Sequence, residues 1–323
     1  MSSKTTGKIL ITGSSGTIGN RLCETFELAG KNYLGIDYRK NIWNEKTHSK
    51  TKYLDLRKAK ELDEINDKIE MIIHLGANAR VFNLVNNPSL AKDNFITTYN
   101  ICEFARKNNI KKIIFASSRE VYGNSDKIIY DENESFVKHC ESNYTATKIA
   151  GEALLHSYYQ CYGINFIILR FSNVFGRYDY SDRVIPLFIL KALKNKDITI
   201  FGRDKILDFT YVDDTIMGIN RAFDCFEKAK NEIYNIATGK GYSIEDVTKM
   251  IINNTNSKST ISFAENRKGE VCKYIANINK ARSVLGYEPQ FSIDQSIQKT
   301  IEWYKPRVNE YSKFLIDSKS ELI

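Results

Sequence analysis

Tyr144 and Lys148 are four positions apart in the sequence, and such a pair could transfer a proton. On a helix, residues at this spacing lie on one face, about one turn apart. The pKa of a free tyrosine is about 10, too high for a base at neutral pH, but a nearby ammonium group favours the phenolate and lowers that pKa. The pair could then accept a hydroxyl proton while a cofactor accepts a hydride. Because many solvated helices carry the same spacing, this interpretation needs a cofactor site.

Three glycines supply such a site. Gly13, Gly16 and Gly19 follow the apolar run 8–12 and lead into a helix-like run over 18–29. In this order, the first glycine permits a tight turn, the second lets backbone amides approach a pyrophosphate, and the third lets the helix pack on the strand. The positive end of the helix dipole then faces the anion. The arrangement predicts a dinucleotide-binding loop.

Asp37 ends the second apolar run, about 20 residues beyond the glycine loop. A carboxylate at this point can accept hydrogen bonds from both ribose hydroxyls and repels a 2′-phosphate, which favours NAD over NADP. Arg39 weakens this preference, because an arginine could bind that phosphate. A turn residue at the strand end is the alternative interpretation of Asp37.

The elements that must position these residues alternate between strand and helix. Short apolar runs occur at 8–12, 33–37, 71–76, 111–117 and 165–171, and helix-like runs at 18–29, 90–108 and 143–162. Strands this apolar are typical of a parallel sheet covered on both faces. The alternation predicts a doubly wound α/β domain. After about residue 172 the rhythm changes, which predicts a smaller mixed α/β part.

The composition, with 323 residues of which 42% are hydrophobic and 27% charged, is that of an ordinary globular protein. The net charge is +8, but no arginine-rich block occurs, so an anionic small substrate is favoured over nucleic acid. The six cysteines include no C-x-x-C pair and the four histidines have no metal-ligand spacing, so no metal site is expected. Neither a membrane span nor a secretion signal is visible, and we expect a cytoplasmic protein without a membrane partner.

A series of motifs resembles the extended short-chain dehydrogenase/reductase family, in its nucleotide-sugar epimerase/dehydratase branch, and most of all the UDP-hexose 4-epimerases. The resemblance covers nearly the whole chain. The motifs are "GSSGTIG" (13–19), "YLDLR" (53–57), "HLGANA" (74–79), "ASSREVYG" (116–123), "NYTATK" (143–148), "LRFSNVFG" (169–176), "DFTYVDD" (208–214), "NRKGEV" (266–271) and "INKARSVLGYEP" (278–289).

The resemblance implies NAD as the cofactor and a role for each matching residue. Catalytic residues are expected at Ser118, Glu120, Tyr144 and Lys148. Cofactor contacts are expected from Gly13, Ser15, Gly16, Thr17, Ile18, Gly19, Asp37, Asp55, Leu56, Leu75 and Ala77, together with Tyr144 and Lys148. Substrate contacts are expected from Arg80, Ser118, Arg119, Asn173, Arg267, Glu270 and Tyr274. Arg267 could instead be a solvated surface residue and Asn173 could cap a turn, and a structural role suits His74 better than a catalytic one.

The resemblance also implies how the chain is divided. We expect an NAD-binding Rossmann domain over 1–171, to which 208–238 returns, and a sugar-nucleotide-binding domain formed by 172–207 and 239–305. The last segment, 306–323, is expected to be a helix or tail. Family members often form homodimers by pairing two helices from each subunit, and the helices near 90–108 and 143–162 are the candidates.

Two departures from the family pattern bear on the substrate. Leu207 stands where the family often has a phosphate-binding arginine, for which Arg203 or Lys205 could substitute. Tyr274 lies seven residues after Arg267, at a gate position where a bulky residue is associated with the exclusion of N-acetylated sugars. This second departure favours a plain UDP-hexose or UDP-hexuronate.

The pair Arg119 and Glu120 bears on the type of reaction. The family's sugar 4,6-dehydratases have T-D-E or T-S-E where this chain has Ser118-Arg119-Glu120. The family's UDP-glucuronate decarboxylases carry an S-E pair. Simple 4-epimerases usually have small residues at the positions of Arg119 and Glu120. A permanently cationic arginine cannot act as the general acid of a dehydratase. It could pair with Glu120 or with a substrate carboxylate. A purely structural ion pair is an equal alternative.

These observations favour a nucleotide-sugar 4-epimerase that oxidises sugar C4 transiently and returns the hydride on the other face. The alternatives are a nucleotide-sugar 4,6-dehydratase or a UDP-glucuronate decarboxylase that uses Glu120. A non-catalytic NAD-binding sensor or scaffold agrees less well with the intact Ser118, Tyr144 and Lys148.

Overall fold

A computed structural model of the protein describes residues 7–179 and 181–312. Its strands are β1 (Lys8–Thr12), β2 (Tyr33–Asp37), β3 (Thr51–Tyr53), β4 (Ile69–His74), β5 (Lys112–Ser118), β6 (Ile129–Tyr130), β7 (Asn165–Phe171), β8 (Asn173–Phe175), β9 (Ile198–Phe201), β10 (Ile206–Tyr211), β11 (Glu232–Ile236), β12 (Gly241–Ser243), β13 (Ile261–Ala264) and β14 (Lys273–Ala276). Its α-helices are α1 (Thr17–Leu28), α2 (Glu45–Ser49), α3 (Val81–Asn86), α4 (Ser89–Lys107), α5 (Asn143–Tyr162), α6 (Val184–Leu193), α7 (Val212–Asp224), α8 (Phe226–Ala229), α9 (Ile244–Thr255), α10 (Ile293–Tyr304) and α11 (Val308–Ser312). Short 3₁₀ helices cover Ala59–Glu64, Arg119–Tyr122, Glu132–Glu134, Val137–His139 and Lys305–Arg307, and a π-helical turn covers Ala281–Leu285.

The largest sheet has seven parallel strands in the order β11-β7-β5-β4-β1-β2-β3. The predicted doubly wound α/β fold is therefore confirmed. The order of the strands reverses direction between β1 and β4, and such a switch point opens a crevice at the carboxyl ends of the strands, where ligands bind. The glycine loop after β1 and the Ser118 turn after β5 both lie at this edge.

Apolar residues on both faces of the sheet explain why its strands are almost wholly apolar. In β1, Ile9 and Ile11 belong to one buried cluster and Leu10 to another. In β5, Ile114 belongs to the first cluster and Phe115 to the second. Because successive side chains of a strand point to opposite faces, each strand contributes to two cores, as expected for a parallel sheet between two layers of helices.

A smaller sheet lies beside the large one, with the order β12-β10-β14-β6 and with β8 paired to β10. A third, two-stranded sheet pairs β13 with β9. Two boundaries differ from those expected from the sequence. β10, which spans the start of the expected returning segment, belongs to the smaller sheet, and β6, inside the first 171 residues, pairs there with β14. The chain rejoins the large sheet at β11, beside β7.

An aromatic cluster fastens the C-terminal helices to the segment that follows β2. Its members are Trp43, Tyr178, Trp303 and Tyr311, whose neighbouring ring centroids lie 5.6–5.9 Å apart. The indole nitrogen of Trp43 donates to the carbonyl oxygen of Ser15 in the glycine loop, at 3.3 Å. The C-terminal segment expected to be a helix or tail is helical from Lys305 to Ser312, and residues 313–323 lie outside the described part of the chain.

Candidate active site

The turn after β5 presents three consecutive side chains to one cavity. Ser118 caps the short 3₁₀ helix Arg119–Tyr122, since its hydroxyl oxygen accepts a hydrogen bond from the Glu120 N–H at 3.2 Å. Ser118, Arg119 and Glu120 are 8%, 7% and 6% exposed, and all three line a cavity of about 260 Å³. The neighbouring Ser117 also lines this cavity, but its hydroxyl donates to Glu152 in a buried network. This geometry agrees with the choice of Ser118 as the serine of the site.

Helix α5 brings Tyr144 and Lys148 to the same cavity. The helix begins at the Ser142 cap, whose hydroxyl oxygen accepts a hydrogen bond from the Thr145 N–H. One turn beyond Lys148 the helix packs very closely on β5, because a Cβ at Gly151 would lie 2.6 Å from the Phe115 ring. The Lys148 ammonium donates to the carbonyl oxygen of Ala116 in β5, at 2.7 Å. The register of α5 on β5 is thereby fixed.

Burial, and not Lys148, dominates the acidity of Tyr144. Burial raises the pKa of Tyr144 to about 12, while the contact with the Ser118 side chain and the charge of Arg183 lower this pKa. Lys148 is not among the main influences on the Tyr144 pKa, because its ammonium is held at Ala116 and lies 5.7 Å from the centre of the Tyr144 ring. Burial also lowers the pKa of Lys148 to about 8.

Arg119 and Glu120 form a buried ion pair with each other, and both residues also line the cavity. Arg119 Nη2 lies 2.8 Å from Glu120 Oε1, and Arg119 Nε donates to Asn173 Oδ1 at 3.2 Å. Asn173 is itself anchored, since its amide donates to the Asp208 carbonyl oxygen at 3.0 Å. Burial raises the pKa of Glu120, and the charge of Arg119 acts in the opposite direction. Asn173 therefore positions Arg119 and does not merely cap a turn.

Cationic side chains surround the rest of the cavity. Arg80 pairs with Asp182 at 2.6 Å, and Lys205 pairs with Glu270 at 2.6 Å. Arg267 does not lie in open solvent, because its guanidinium stands 4.9 Å from the ring of Phe82 and 4.2 Å from that of Phe201. Such a concentration of positive charge suits a ligand with phosphate groups.

Leu207 forms part of the apolar wall of the cavity. The cation closest to the place of the arginine that the family often has at this position is Lys205. Both residues line the cavity and are almost fully buried. Arg203 is exposed and lies over the ring of Phe263, 4.4 Å from its centre. Of the two candidate substitutes, only Lys205 reaches the cavity among the described residues.

Tyr274 does not reach the cavity. It is fully buried and stacks with Tyr122 and Tyr130, with ring centroids 5.6 and 5.8 Å away. The guanidinium of Arg119 lies 5.8 Å from the Tyr274 ring, so Tyr274 supports Arg119 from behind. The structure therefore places Tyr274 away from the gate position expected from the sequence, because the tyrosine stack withdraws this side chain into the core.

A second cavity, of about 210 Å³, lies along the glycine loop and meets the first one. Leu75 and Ala77 line both cavities. The other predicted cofactor residues that line this cavity are Gly13, Ser15, Gly16, Asp37, Asp55 and Leu56, while Ile18 lines the first. The two cavities adjoin at Leu75 and Ala77, at the switch point of the sheet, where a dinucleotide binds in folds of this type.

The glycine loop and Asp37 fit a bound NAD. Gly13 has φ +70°, and a Cβ there would lie 2.9 Å from Gly76, so the loop leaves its floor free of side chains. The carboxylate of Asp37 accepts hydrogen bonds from the N–H groups of Ser15 and Arg39, at 3.0 and 2.9 Å, and lies in the second cavity. The loop is thereby tied to the carboxylate that faces a ribose in this fold.

Three residues near the groove have structural roles. Thr17 lines neither cavity, and its hydroxyl donates to the Tyr178 carbonyl oxygen at 3.0 Å. Gly19 permits close packing, since a Cβ there would lie 2.0 Å from the Gly13 carbonyl oxygen. His74 is buried between the hydroxyls of Thr12 and Thr98, and burial lowers its pKa to about 3, which agrees with a structural role.

The sequence interpretation missed Arg183 and Asp182. Arg183 is the N-cap of α6 and lines the cavity, close enough to Tyr144 for its charge to lower the Tyr144 pKa. Asp182 lines the cavity as the partner of Arg80. A possible signal was Pro186, because proline is favoured in the first turn of a helix and marks the preceding residues as a helix start.

The fold and the groove define an α/β enzyme that uses a dinucleotide cofactor at the switch point of its sheet. A family model described as "NAD dependent epimerase/dehydratase family" matches residues 9–237. The chain therefore belongs to this family, whose members use NAD.

Individual relatives span almost the whole chain. A protein of Methanocaldococcus jannaschii named "Putative UDP-glucose 4-epimerase" is 36% identical, over 92% of this chain and 98% of that protein. The dTDP-D-glucose 4,6-dehydratase of Dictyostelium discoideum is 30% identical, over 96% of this chain and 84% of that protein. The crystal structure of UDP-glucuronic acid 4-epimerase from Bacillus cereus, in complex with UDP-glucuronic acid and NAD, is 27% identical, with a TM-score of 0.84, over 93% of this chain and 99% of that one.

In the described ranges, every helix is too short or too polar to cross a lipid bilayer.

Proposed function

We propose that the protein is an NAD-dependent nucleotide-sugar 4-epimerase acting on a UDP-hexose or a UDP-hexuronate. The observation that carries this proposal is the convergence of Ser118 and Tyr144 on the cavity that continues the cofactor groove. In this proposal the large sheet binds the cofactor, and the smaller sheets complete the site for the sugar nucleotide. The M. jannaschii and B. cereus relatives, both named as UDP-sugar 4-epimerases, support the choice of reaction.

In the proposed reaction, Tyr144 accepts the proton of the sugar 4-hydroxyl and later returns it. The Ser118 side chain, which contacts Tyr144, orients the same hydroxyl and favours the phenolate. Lys148 lies beside Tyr144 on the groove, where it holds the cofactor ribose and provides a positive charge. Bound NAD would supply the acceptor, and later the donor, of the hydride at sugar C4. A sugar that turns over between the two transfers receives the hydride on its other face.

The cations of the cavity support a nucleoside diphosphate as the anionic end of the substrate. Arg267, held between two aromatic rings, and Arg183, at the start of α6, carry charges that no carboxylate neutralises within hydrogen-bonding distance among the described residues. Charge-assisted hydrogen bonds from arginine to phosphate are among the stronger polar contacts in proteins. Lys205 and Arg80 add two further cations, each already paired with one acid.

The alternative reaction is elimination, because Glu120 lines the cavity and one of its carboxylate oxygens has no hydrogen-bond partner among the described residues. Such a carboxylate could remove a proton from sugar C5, and the D. discoideum dehydratase is a relative. A dehydratase must also protonate its leaving hydroxyl, and Arg119 cannot donate that proton. The geometry therefore favours epimerisation.

The deciding experiment is incubation of the NAD-loaded protein with UDP-glucose, UDP-glucuronate and GDP-mannose in turn, followed by NMR of the products. A 4-epimer formed without loss of water or carbon dioxide supports the proposal. A 4-keto-6-deoxy sugar or a pentose would overturn it and establish elimination or decarboxylation.

We further propose that the protein is a cytoplasmic homodimer formed through α4 and α5. These two helices pack on each other, and α4 exposes the aromatic side chains of Phe95 and Tyr99 at 43% and 45%. Exposed aromatic residues on a helical face are typical of interfaces.

A further inference from the structure

Within the described ranges, three residues that line the cavity have a buried polar atom without a hydrogen-bond partner: Arg80 Nε, Arg119 Nη1 and Glu120 Oε2. The last two belong to adjacent residues, Arg119 and Glu120. Both residues are less than one-tenth exposed and line the cavity together with Tyr144. A buried donor or acceptor without a partner costs about 1–3 kcal/mol. A ligand that fills the cavity is therefore the natural source of both missing hydrogen bonds.

The remaining polar atoms of the pair are already bonded, which limits what this ligand can be. Arg119 Nη2 faces Glu120 Oε1 at 2.8 Å, and Arg119 Nε donates to Asn173 at 3.2 Å. The pair thus offers the N–H groups of Arg119 Nη1 as donors and Glu120 Oε2 as an acceptor, on neighbouring side chains. A hydroxyl group can accept from Arg119 and donate to Glu120 at the same time, whereas a carboxylate can only accept.

The charges of the cavity lead to the same conclusion. Among the described residues, the charged side chains that line it are Arg80, Arg119, Glu120, Lys148, Asp182, Arg183, Lys205, Arg267 and Glu270. Arg80–Asp182, Arg119–Glu120 and Lys205–Glu270 are ion pairs. Outside these pairs stand Lys148, beside the cofactor groove, and two arginines, which balance the two charges of a diphosphate. A further carboxylate on the sugar would lie next to Glu120 and would be repelled by it.

We propose that Arg119 and Glu120 bind a hydroxyl group near sugar C4, on C3 or on C6, and thereby select a neutral hexose over a hexuronate. This inference rests on the proposed function and names its substrate class. In an epimerase the keto sugar turns over between the hydride transfers, which exchanges the places of C3 and C5 around C4. A neutral hexose then presents a hydroxyl to the pair in both orientations, from C3 or from C6. A hexuronate presents a carboxylate in one of them.

The test is a comparison of binding by the NAD-loaded protein, measured by calorimetry with UDP-glucose and with UDP-glucuronate. We expect the wild type to bind UDP-glucose at least about tenfold more tightly. Glu120→Gln keeps the shape of the side chain and removes its charge, so the ratio should shift at least about tenfold towards UDP-glucuronate. Glu288→Gln is the matched control, because Glu288 forms an ion pair with Arg282 at an exposed site and should leave the ratio unchanged.

The wild-type ratio decides the question even if Glu120→Gln does not fold. Equal or tighter binding of UDP-glucuronate by the wild type overturns the proposal, and so does a folded Glu120→Gln variant with an unchanged ratio. Because the measurement is of binding, it separates this inference from the reaction. If the wild type prefers UDP-glucose and Glu120→Gln shifts the binding ratio as expected, but no 4-epimer forms, the result supports the selection by Arg119 and Glu120 and rejects the epimerase. A protein that binds neither UDP-glucose nor UDP-glucuronate overturns both.

Discussion

The ammonium of Lys148 donates a hydrogen bond to the carbonyl oxygen of Ala116, 2.7 Å away, across the contact between α5 and β5. This bond holds a positive charge in a site where burial lowers the Lys148 pKa to about 8. The Lys148 ammonium near Tyr144 is therefore buried without the solvation that it would have in water, which costs free energy. The relationship links the stability of the fold to the chemistry of the site, and both can be measured.

Lys148→Met should raise the melting temperature at pH 7 while it abolishes turnover, because the methionine fills a similar volume without a buried charge. The gain in stability from Lys148→Met should be constant below about pH 8, where Lys148 is protonated in both the folded and the unfolded wild type. Between pH 8 and about 10.4 the folded wild type has lost this proton and the unfolded chain has not, so wild-type stability rises and the gain should shrink. Thermal unfolding across this pH range tests the sign. A gain that grows with pH contradicts the assignment.

Tyr144→Phe should lower kcat by about 10²–10⁴-fold, because the variant has no group to accept the C4 hydroxyl proton. The ring should still pack, so the melting temperature and the NAD content should change little. Activity is followed by NMR of the sugar, and bound NAD by absorbance after denaturation. Tyr162→Phe, on the exposed end of the same helix, is the control and should keep full activity. Full activity in Tyr144→Phe would exclude Tyr144 as the base.

Asp37→Ser should weaken NAD binding and reduce the discrimination against NADP, because the variant loses the carboxylate that accepts ribose hydroxyls and repels a 2′-phosphate. The same change breaks the hydrogen bond from the Ser15 N–H, so the glycine loop loses a support. Calorimetric titration of both cofactors gives the two affinities. Asp63→Ser, at an exposed position of a 3₁₀ helix, provides the control. An unchanged preference would assign Asp37 to the turn alone.

Tyr274→Phe should be neutral or stabilising, because the Tyr274 hydroxyl is buried and has no hydrogen-bond partner within the described part of the chain. Tyr274→Ala removes a ring from the tyrosine stack and should cost about 3–5 kcal/mol in the free energy of unfolding. Urea unfolding measures both effects. If Tyr274→Phe instead weakens the binding of UDP-sugars at unchanged stability, the hydroxyl contacts the substrate, as expected of a gate residue.

Tyr99→Glu should convert the proposed dimer into a monomer, since it places a charge on the exposed face of α4. Light scattering after size exclusion gives the mass in solution. Leu28→Glu changes a residue that is 81% exposed at the end of α1 and should leave the mass unaltered. A wild type that is already monomeric rejects the dimer.

Local patterns were sufficient to predict the large sheet and the helices that carry the cofactor loop and Tyr144. Helix α5 begins and ends at the predicted residues because Ser142 caps it and Gly163, with φ +65°, ends it. β3 was missed because it has only three residues, and its register is set by pairing with β2. Propensity within so short a segment cannot outweigh a tertiary contact.

The site was less predictable where it depends on distant segments. Motifs placed Ser118, Tyr144 and Lys148 correctly on the cavity, because these residues belong to elements with strong local signals. The burial of Tyr274 depends on a stack with Tyr122 and Tyr130, which lie more than 140 residues earlier in the chain. The partner of Lys148 is a backbone carbonyl of β5, and no spacing in the sequence points to it.

The aromatic cluster at the C-terminal helices gives the protein an internal optical reporter. The chain has two tryptophans, and both belong to this cluster. Trp43 also donates to the backbone of Ser15, within the loop that faces the cofactor groove. All indole emission of the molecule therefore originates at the junction of the glycine loop and the C-terminal helices, so its intensity and wavelength follow the geometry of that loop without an added label.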